Sequence, residues 1–252
     1  MDAATHTLFG LALSRAVFQR RIPRPALTFA LAANAPDIDI LALAGGILPY
    51  LEWHRQITHS LVVAPFLAAA VAALVSLRRS YWRTWVAALA GVLSHLLLDW
   101  SNMYGVRLGA PFSDQWSQLG AIPFADPWVW LLLAMAFVPP WISALVSSEI
   151  GARRNSGRGW AVASLALLAV YGVGRAQLHA RAAAVLESRI YGSESQIVRA
   201  FALPDPVNPF RWRGVVETPR LWWTGEVRVG SEFDPEDGRL TYKPDNALLE
   251  AA

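Results

Sequence analysis

The chain has 252 residues, 54% of them hydrophobic and 16% charged, with a formal net charge of +3 and no cysteine. Soluble domains carry roughly a quarter charged residues, so this composition points to a polytopic membrane protein. The small basic excess, spread in short clusters instead of one stripe, argues against a nucleic-acid partner, and the lack of cysteine excludes disulfides, thiolate metal sites and thiol nucleophiles.

The first apolar stretch, about 5–18, is too short to span a bilayer and reads as a partly embedded helix or an interfacial amphipathic one. It lacks a basic lead-in and His6 interrupts it, so a cleavable signal peptide is not expected. Five further apolar stretches are predicted as helices at membrane depth: about 26–48, 61–77, 84–100, 127–147 and 160–174. A span needs roughly 20 residues, so the shorter ones must tilt or be shielded by neighbours. Within 26–48, Asn34 and Pro36 predict a break at 33–36, which places Asp37 and Asp39 at an interrupted helix. Carboxylates at such a place are costly unless they face a polar cavity or a cation.

Arginines punctuate alternate loops: Arg20, Arg21 and Arg24, then Arg78, Arg79 and Arg83, then Arg153, Arg154 and Arg158. Basic loops stay cytoplasmic. This predicts that 49–60, 101–126 and the chain after 175 lie outside, and that the His and Asp patches converge on the outer face. The stretch 175–190 reads as a helix. Beyond about 195, Pro204, Pro206, Pro209 and Pro219 and then the alternation from Leu221 to Val229 predict strands. The expected fold is thus an all-α membrane helical bundle of about five to six helices over residues 1–174. Residues 175–252 would add an extracytoplasmic helix and a small β-rich tail.

Four of the five histidines lie in polar patches at the edges of apolar runs. His95 and Asp99, four apart on a helix, share a face; they can hold a metal ion or neutralise each other. Asp37 and Asp39 are candidate ligands or a helix-start acidic pair. His54 and His59 flank a turn in which Thr58 is expected to cap a helix starting at Ser60, and Arg55 beside them suits a phosphate or snorkels to headgroups. Asp126, before Pro127, is a further candidate ligand or a plain helix cap. With sulfur ligands absent, His and carboxylates suit zinc or another first-row ion.

Several segments together resemble the YdjM-type inner-membrane metal-dependent hydrolases. They are His6-Thr7-Leu8-Phe9-Gly10, Ala35-Pro36-Asp37-Ile38-Asp39, His54-Arg55-Gln56-Ile57-Thr58-His59-Ser60, Ser94-His95-Leu96-Leu97-Leu98-Asp99 and Asn102-Met103-Tyr104-Gly105. Pro111-Phe112-Ser113 and Phe124-Ala125-Asp126-Pro127 extend the likeness, which runs from residue 1 to about 150. That family is in turn similar to zinc-dependent phospholipase C and P1-type nucleases. The resemblance implies metal ligation by His6, Asp37, Asp39, His54, His59, His95, Asp99 and Asp126, with Asp37 or Asp39 as base and Arg55 on a substrate phosphate. Gln56 stands where relatives usually carry Gly. The later His…His-x-x-x-Glu set of the phospholipase pattern is missing, so one or two ions are expected in place of three. The expectation is an integral-membrane zinc-type hydrolase of the bacterial inner membrane, acting on a phospholipid or other phosphate ester. The alternative is a non-enzymatic membrane metal- or ion-binding or transport protein using the same cluster. Oligomeric state is open.

Overall fold

A computed structural model describes residues 1–76, 80–151 and 156–244. Arg78, Arg79, Arg153 and Arg154 of the basic loops lie outside them. Helix α1 (Ala3–Leu13) starts at Asp2, whose carboxylate accepts from Thr5 N at 2.9 Å. This is an N-cap bond that satisfies one of the free N–H groups of the first turn. The helix widens into a π segment, Ser14–Phe18, before the arginine-bearing turn. Helix α2 (Pro25–Ala32) then stops, and the chain continues as a 3-10 segment, Pro36–Gly45, bent from it by 50°. The break falls where Asn34 and Pro36 predict it. Gly46, at φ +109°, turns the chain into α3 (Ile47–Trp53). A short 3-10 turn, Ile57–His59, leads to α4 (Ala64–Val75), which begins at Pro65's turn, four residues later than the expected start at Ser60. Ser60 instead accepts from Val63 N at 3.2 Å.

Helix α5 (Tyr81–Ser101) is long and unbroken. After a bridged loop come α6 (Pro127–Ala134) and α7 (Val138–Ile150), separated at 135–137, and then α8 (Arg158–Glu187), which continues without interruption through residues 174 and 175. Strands β1 (Arg199–Pro204), β2 (Arg211–Glu217), β3 (Leu221–Arg228) and β4 (Arg239–Tyr242) form one antiparallel sheet in the order β1-β2-β3-β4. Trp212 pairs with Val227 and Val216 with Trp223, so alternate residues point to one face. That face buries Trp212, Val216, Trp223 and Val227 against Ala182 and Leu186 of α8 and against Tyr191.

These elements correct the expected fold. The described residues contain eight α-helices where five to six were expected, and the expected β-rich tail is a four-stranded sheet, so the fold is not all-α. The physical reason is local. Apolar runs that look continuous in composition are interrupted at Gly45-Gly46 and at 135–137, and the period-two burial expected of the C-terminal tail gives a full four-stranded sheet. Among the described residues, three helical segments are long and apolar enough to cross a membrane: Tyr81–Ser101, Pro127–Glu149 and Arg158–Glu187. The count reaches five if each bent pair, Pro25–Ala32 with Pro36–Gly45 and Ile47–His59 with Ala64–Val75, is one span.

What positions the site is the packing of α2 against α1 and α5. Ala32, Ala64, Ala68, Ala88 and Val92 form an alanine-rich contact between α2, α4 and α5. A Cβ on Gly10 would lie 2.9 Å from Ala33 Cβ, and one on Gly91 would lie 2.7 Å from Ala32 Cβ. The end of α2 is therefore held between two glycines at a distance no larger residue permits.

Candidate metal centre

His59, His95, Asp37 and Asp99 arrive from three elements: the 3-10 turn, α5, and the 3-10 segment after α2. His59 Nε2 and His95 Nε2 face each other at 3.1 Å. Asp37 Oδ1 lies 3.4 Å from His59 Nε2 and 3.6 Å from His95 Nε2. Asp99 Oδ2 lies 3.5 Å and 3.6 Å from the same two nitrogens. A tetrahedral ion with bonds of about 2.0–2.1 Å spaces its ligands about 3.3–3.4 Å apart. The spacings of the two imidazoles with each other and with each carboxylate, 3.1 to 3.6 Å, bracket that value, while Asp37 and Asp99 fall in separate three-residue groups.

The ring partners fix which nitrogens point inward. His95 Nδ1 donates to the Ala33 carbonyl at 2.7 Å, a group that can only accept, so its Nε2 carries the lone pair. Thr58 Oγ1 donates to Asp39 Oδ2 at 3.2 Å and accepts from His59 Nδ1 at 3.1 Å. That leaves the His59 Nε2 lone pair inward as well. Two lone pairs across 3.1 Å repel unless a cation lies between them. Carbonyl and carboxylate support behind a ligating imidazole is the usual outer shell of a metal site.

His6 is wholly buried and stacks on His95, with ring centroids 3.8 Å apart. Neither of its ring nitrogens has a hydrogen-bond partner among the described residues, and Nε2 lies 3.2 Å from Asp99 Oδ1. Two overlapping groups can thus hold an ion, His6–His95–Asp99 and Asp37–His59–His95. His95 is common to both groups, and Asp99 reaches both sides: Oδ2 approaches His59 and His95, and Oδ1 faces His6, the Met1 amino group and Arg55.

Asp39 sits behind the site. Its carboxylate meets His54 Nδ1 at 3.2 Å and accepts from Arg55 N at 3.0 Å as well as from Thr58. His54 is on the rim, in contact with Asp39 and stacked on Tyr50, and belongs to neither group. Asp126 is also in neither group. It caps α6, accepting from Trp128 N at 2.9 Å and Val129 N at 3.2 Å, and takes the Tyr171 hydroxyl at 2.7 Å.

Arg55 is buried, and its backbone has φ +61°, in the left-handed region that costs a non-glycine residue about 1–2 kcal/mol. That turn aims its N–H at Asp39 and sends its guanidinium inward, 3.3 Å from Asp99 Oδ1 and 3.4 Å from Asn102 Oδ1, over the Tyr104 ring. Side-chain patterns gave no sign of the Ala33 carbonyl, because a backbone acceptor leaves no trace in residue type. Thr58 was legible only as a cap; its relay to Asp39 depends on how the turn folds. Asp37 is the open edge of the set, its side chain 30% exposed where the two histidines are fully covered.

A family profile described as "YdjM inner membrane protein" matches residues 1–181. The chain is 29% identical over 142 residues to the "Uncharacterized protein YfhP" of Bacillus subtilis strain 168, covering 52% of this chain. It spans 43% of that relative's length. No solved structure matches, so the expected likeness to zinc phospholipase C and P1 nuclease finds no support there. The match over residues 1–181 takes in every residue of the centre, and the chain belongs to the YdjM inner membrane protein family.

Proposed function

We propose that this protein is a multi-pass, zinc-dependent hydrolase that cleaves a phosphate ester, of a phospholipid or related amphiphile, at the outer face of the membrane. The observation that carries the reading is the facing pair of His59 and His95 nitrogens, 3.1 Å apart, with an oxygen of Asp37 and one of Asp99 each 3.4 to 3.6 Å from both. Its chemistry, two imidazoles and two carboxylates without sulfur, suits zinc. A zinc ion held there supplies Lewis acidity, acidifying water and withdrawing charge from a phosphoryl oxygen.

The chain's own groups do the rest. Asp37 faces the imidazoles through Oδ1 and, as the partly exposed member of the cluster, takes a proton from an attacking water through its other oxygen. Arg55 turns its guanidinium from Asp99 and Asn102 onto the phosphoryl oxygens, a charge-assisted contact in a buried site. Asp39 and the Ala33 carbonyl keep the two imidazoles oriented. Exposed Ile38, Ile40, Leu41, Trp53 and Ile57 follow Asp37 and flank Arg55 in sequence, which suits a substrate whose acyl chains remain in lipid. The outward orientation is supported by the basic turn with Arg20, Arg21 and Arg24 and by Arg83 in the first turn of α5, at the opposite end of that helix from His95 and Asp99.

The test is metal analysis of the purified protein together with phosphodiesterase and phospholipase assays in reconstituted vesicles. About one zinc per chain is expected, with hydrolysis that chelation abolishes. Both should be lost in His95→Ala plus Asp99→Ala. Near-zero metal in the unmodified protein overturns the reading. Full metal with no hydrolysis of any phosphate ester, alongside metal uptake into vesicles, overturns it in favour of transport.

A further inference from the structure

About 18 Å along α5 from His95, at 1.5 Å per residue, the other end of that helix carries a second polar feature that the proposed hydrolase does not use. A groove of about 610 Å3 opens there, lined by Phe18, Arg20, Arg21, Ile22, Trp82 and Arg83. Its floor is fixed: Ile22 is buried with Phe29 and Ala87, and Phe18 packs against the same cluster. The turn bearing Arg20 and Arg21 is thereby anchored to α2 and α5. All three arginines are exposed, and none has an ion-pair partner among the described residues. Some arginines elsewhere do have one: Arg107 pairs with Asp114, Arg211 with Asp205 and Arg228 with Glu226.

We infer that this groove binds the headgroup of an anionic phospholipid in the leaflet at the arginine end of the bundle. Three guanidinia converging without a carboxylate leave a concentrated positive field, and their planar donors match phosphate oxygens. The rest of the lining is aromatic and aliphatic, which a soluble phosphate has no use for and a lipid's glycerol and first methylenes do. Trp82 is largely exposed at the start of a helix long enough to span, a place where tryptophan meets the headgroup layer. Basic pockets between helices at this level recognise anionic headgroups in this way.

The test uses the full chain, delipidated in detergent and titrated with phosphatidylglycerol or phosphatidylcholine, with bound lipid counted by native mass spectrometry. Two triple variants are compared. Arg20→Gln, Arg21→Gln and Arg83→Gln empty the groove; Arg213→Gln, Arg220→Gln and Arg239→Gln remove the same charge from the exposed sheet. Each arginine contributes about fivefold in affinity, so the groove variant should lose on the order of 100-fold for phosphatidylglycerol. Phosphatidylcholine binding and zinc content should be unchanged in both variants. Equal loss in the two variants, or no loss in either, overturns the inference. So does displacement of the lipid by inorganic phosphate at matching concentration, which would make this a soluble-anion site. Because zinc content is read in parallel, a failure here is distinct from a failure of the hydrolase reading.

Discussion

Replacing Gly91 with alanine should damage the proposed metal centre through packing alone. Gly91 lies one turn before His95 on α5, and its added Cβ would stand 2.7 Å from Ala32 Cβ and 3.4 Å from a Phe29 ring carbon. An ordinary contact begins at 3.4 Å, so α2 must yield by about 0.7 Å. It cannot simply withdraw, because Gly10 of α1 already holds Ala33 and the Phe29 carbonyl from the far side. A shift of that size takes the Ala33 carbonyl from 2.7 Å to as much as about 3.4 Å from His95 Nδ1, beyond a useful hydrogen bond. Overpacking of this kind costs about 1–3 kcal/mol, and alanine's better helix propensity returns about 1 kcal/mol. Net stability should therefore change by about 0–2 kcal/mol. The loss of the partner that orients His95 should lower zinc affinity about 10- to 100-fold. The assay is zinc titration against a competing chelator, with thermal unfolding in the same detergent. Gly172→Ala on α8, where an added Cβ meets nothing within 4 Å, is the control and should leave zinc affinity unchanged. A Gly91→Ala protein that binds zinc as tightly as the parent would refute the claim that close α2–α5 approach sets the ligand's orientation.

Asp126→Ala should destabilise the protein by about 1–3 kcal/mol, from a lost helix cap and a stranded Tyr171 hydroxyl, without lowering zinc content; a drop in bound metal would instead make Asp126 a ligand. Trp223→Ala should cost about 3–5 kcal/mol, since its ring fills the sheet core between Tyr191 and Phe233 and its Nε1 donates to the Pro235 carbonyl at 2.8 Å; chemical denaturation followed by far-ultraviolet circular dichroism measures it. Burial pushes the Tyr191 hydroxyl up from 10.0 to about 12. The unfolded chain therefore releases that proton first, and the associated stability is full below about pH 10 and declines as pH rises toward about 12. Tyr191→Phe should flatten that alkaline decline in denaturation midpoints, and an identical decline in both proteins would argue against it.

Several pieces of this structure were legible in the residues. The break between α2 and the 3-10 segment was written in Asn34 and Pro36, because proline cannot continue the ladder and restricts the residue before it. The meeting of His59, His95 and Asp99 was legible from residue type, since such groups bordering apolar helices are costly without a shared partner. The element count was not. Gly45-Gly46 and the interruption at 135–137 sit in apolar surroundings that hydropathy averages over, and in lipid an apolar residue says little about where a helix bends. The sheet was visible as alternation, but its dependence on Leu186 and Ala182 of α8 was not, because packing partners distant in sequence leave no periodic mark. The π segment at Ser14–Phe18 had no sequence signal that we can name.

The separate duties proposed for Asp37 and Asp39 rest on one geometric fact. Residues two apart cannot share a face on an α-helix, which made the pair ambiguous. On the 3-10 segment, with three residues per turn, they diverge as well, yet both reach His59. Asp37 Oδ1 approaches Nε2 at 3.4 Å and Asp39 Oδ2 approaches Nδ1 at 3.4 Å. The two carboxylates grip opposite edges of one ring, so only one of them can stand on the inward side. Asp37→Asn should then remove both a donor atom and the proton acceptor, lowering zinc affinity and nearly abolishing turnover. Asp39→Asn should keep a hydrogen-bond acceptor for Thr58 and cost affinity about 10- to 100-fold while the zinc-saturated protein retains most of its turnover. If saturating zinc restores neither variant or both alike, the two carboxylates do not divide the work in this way.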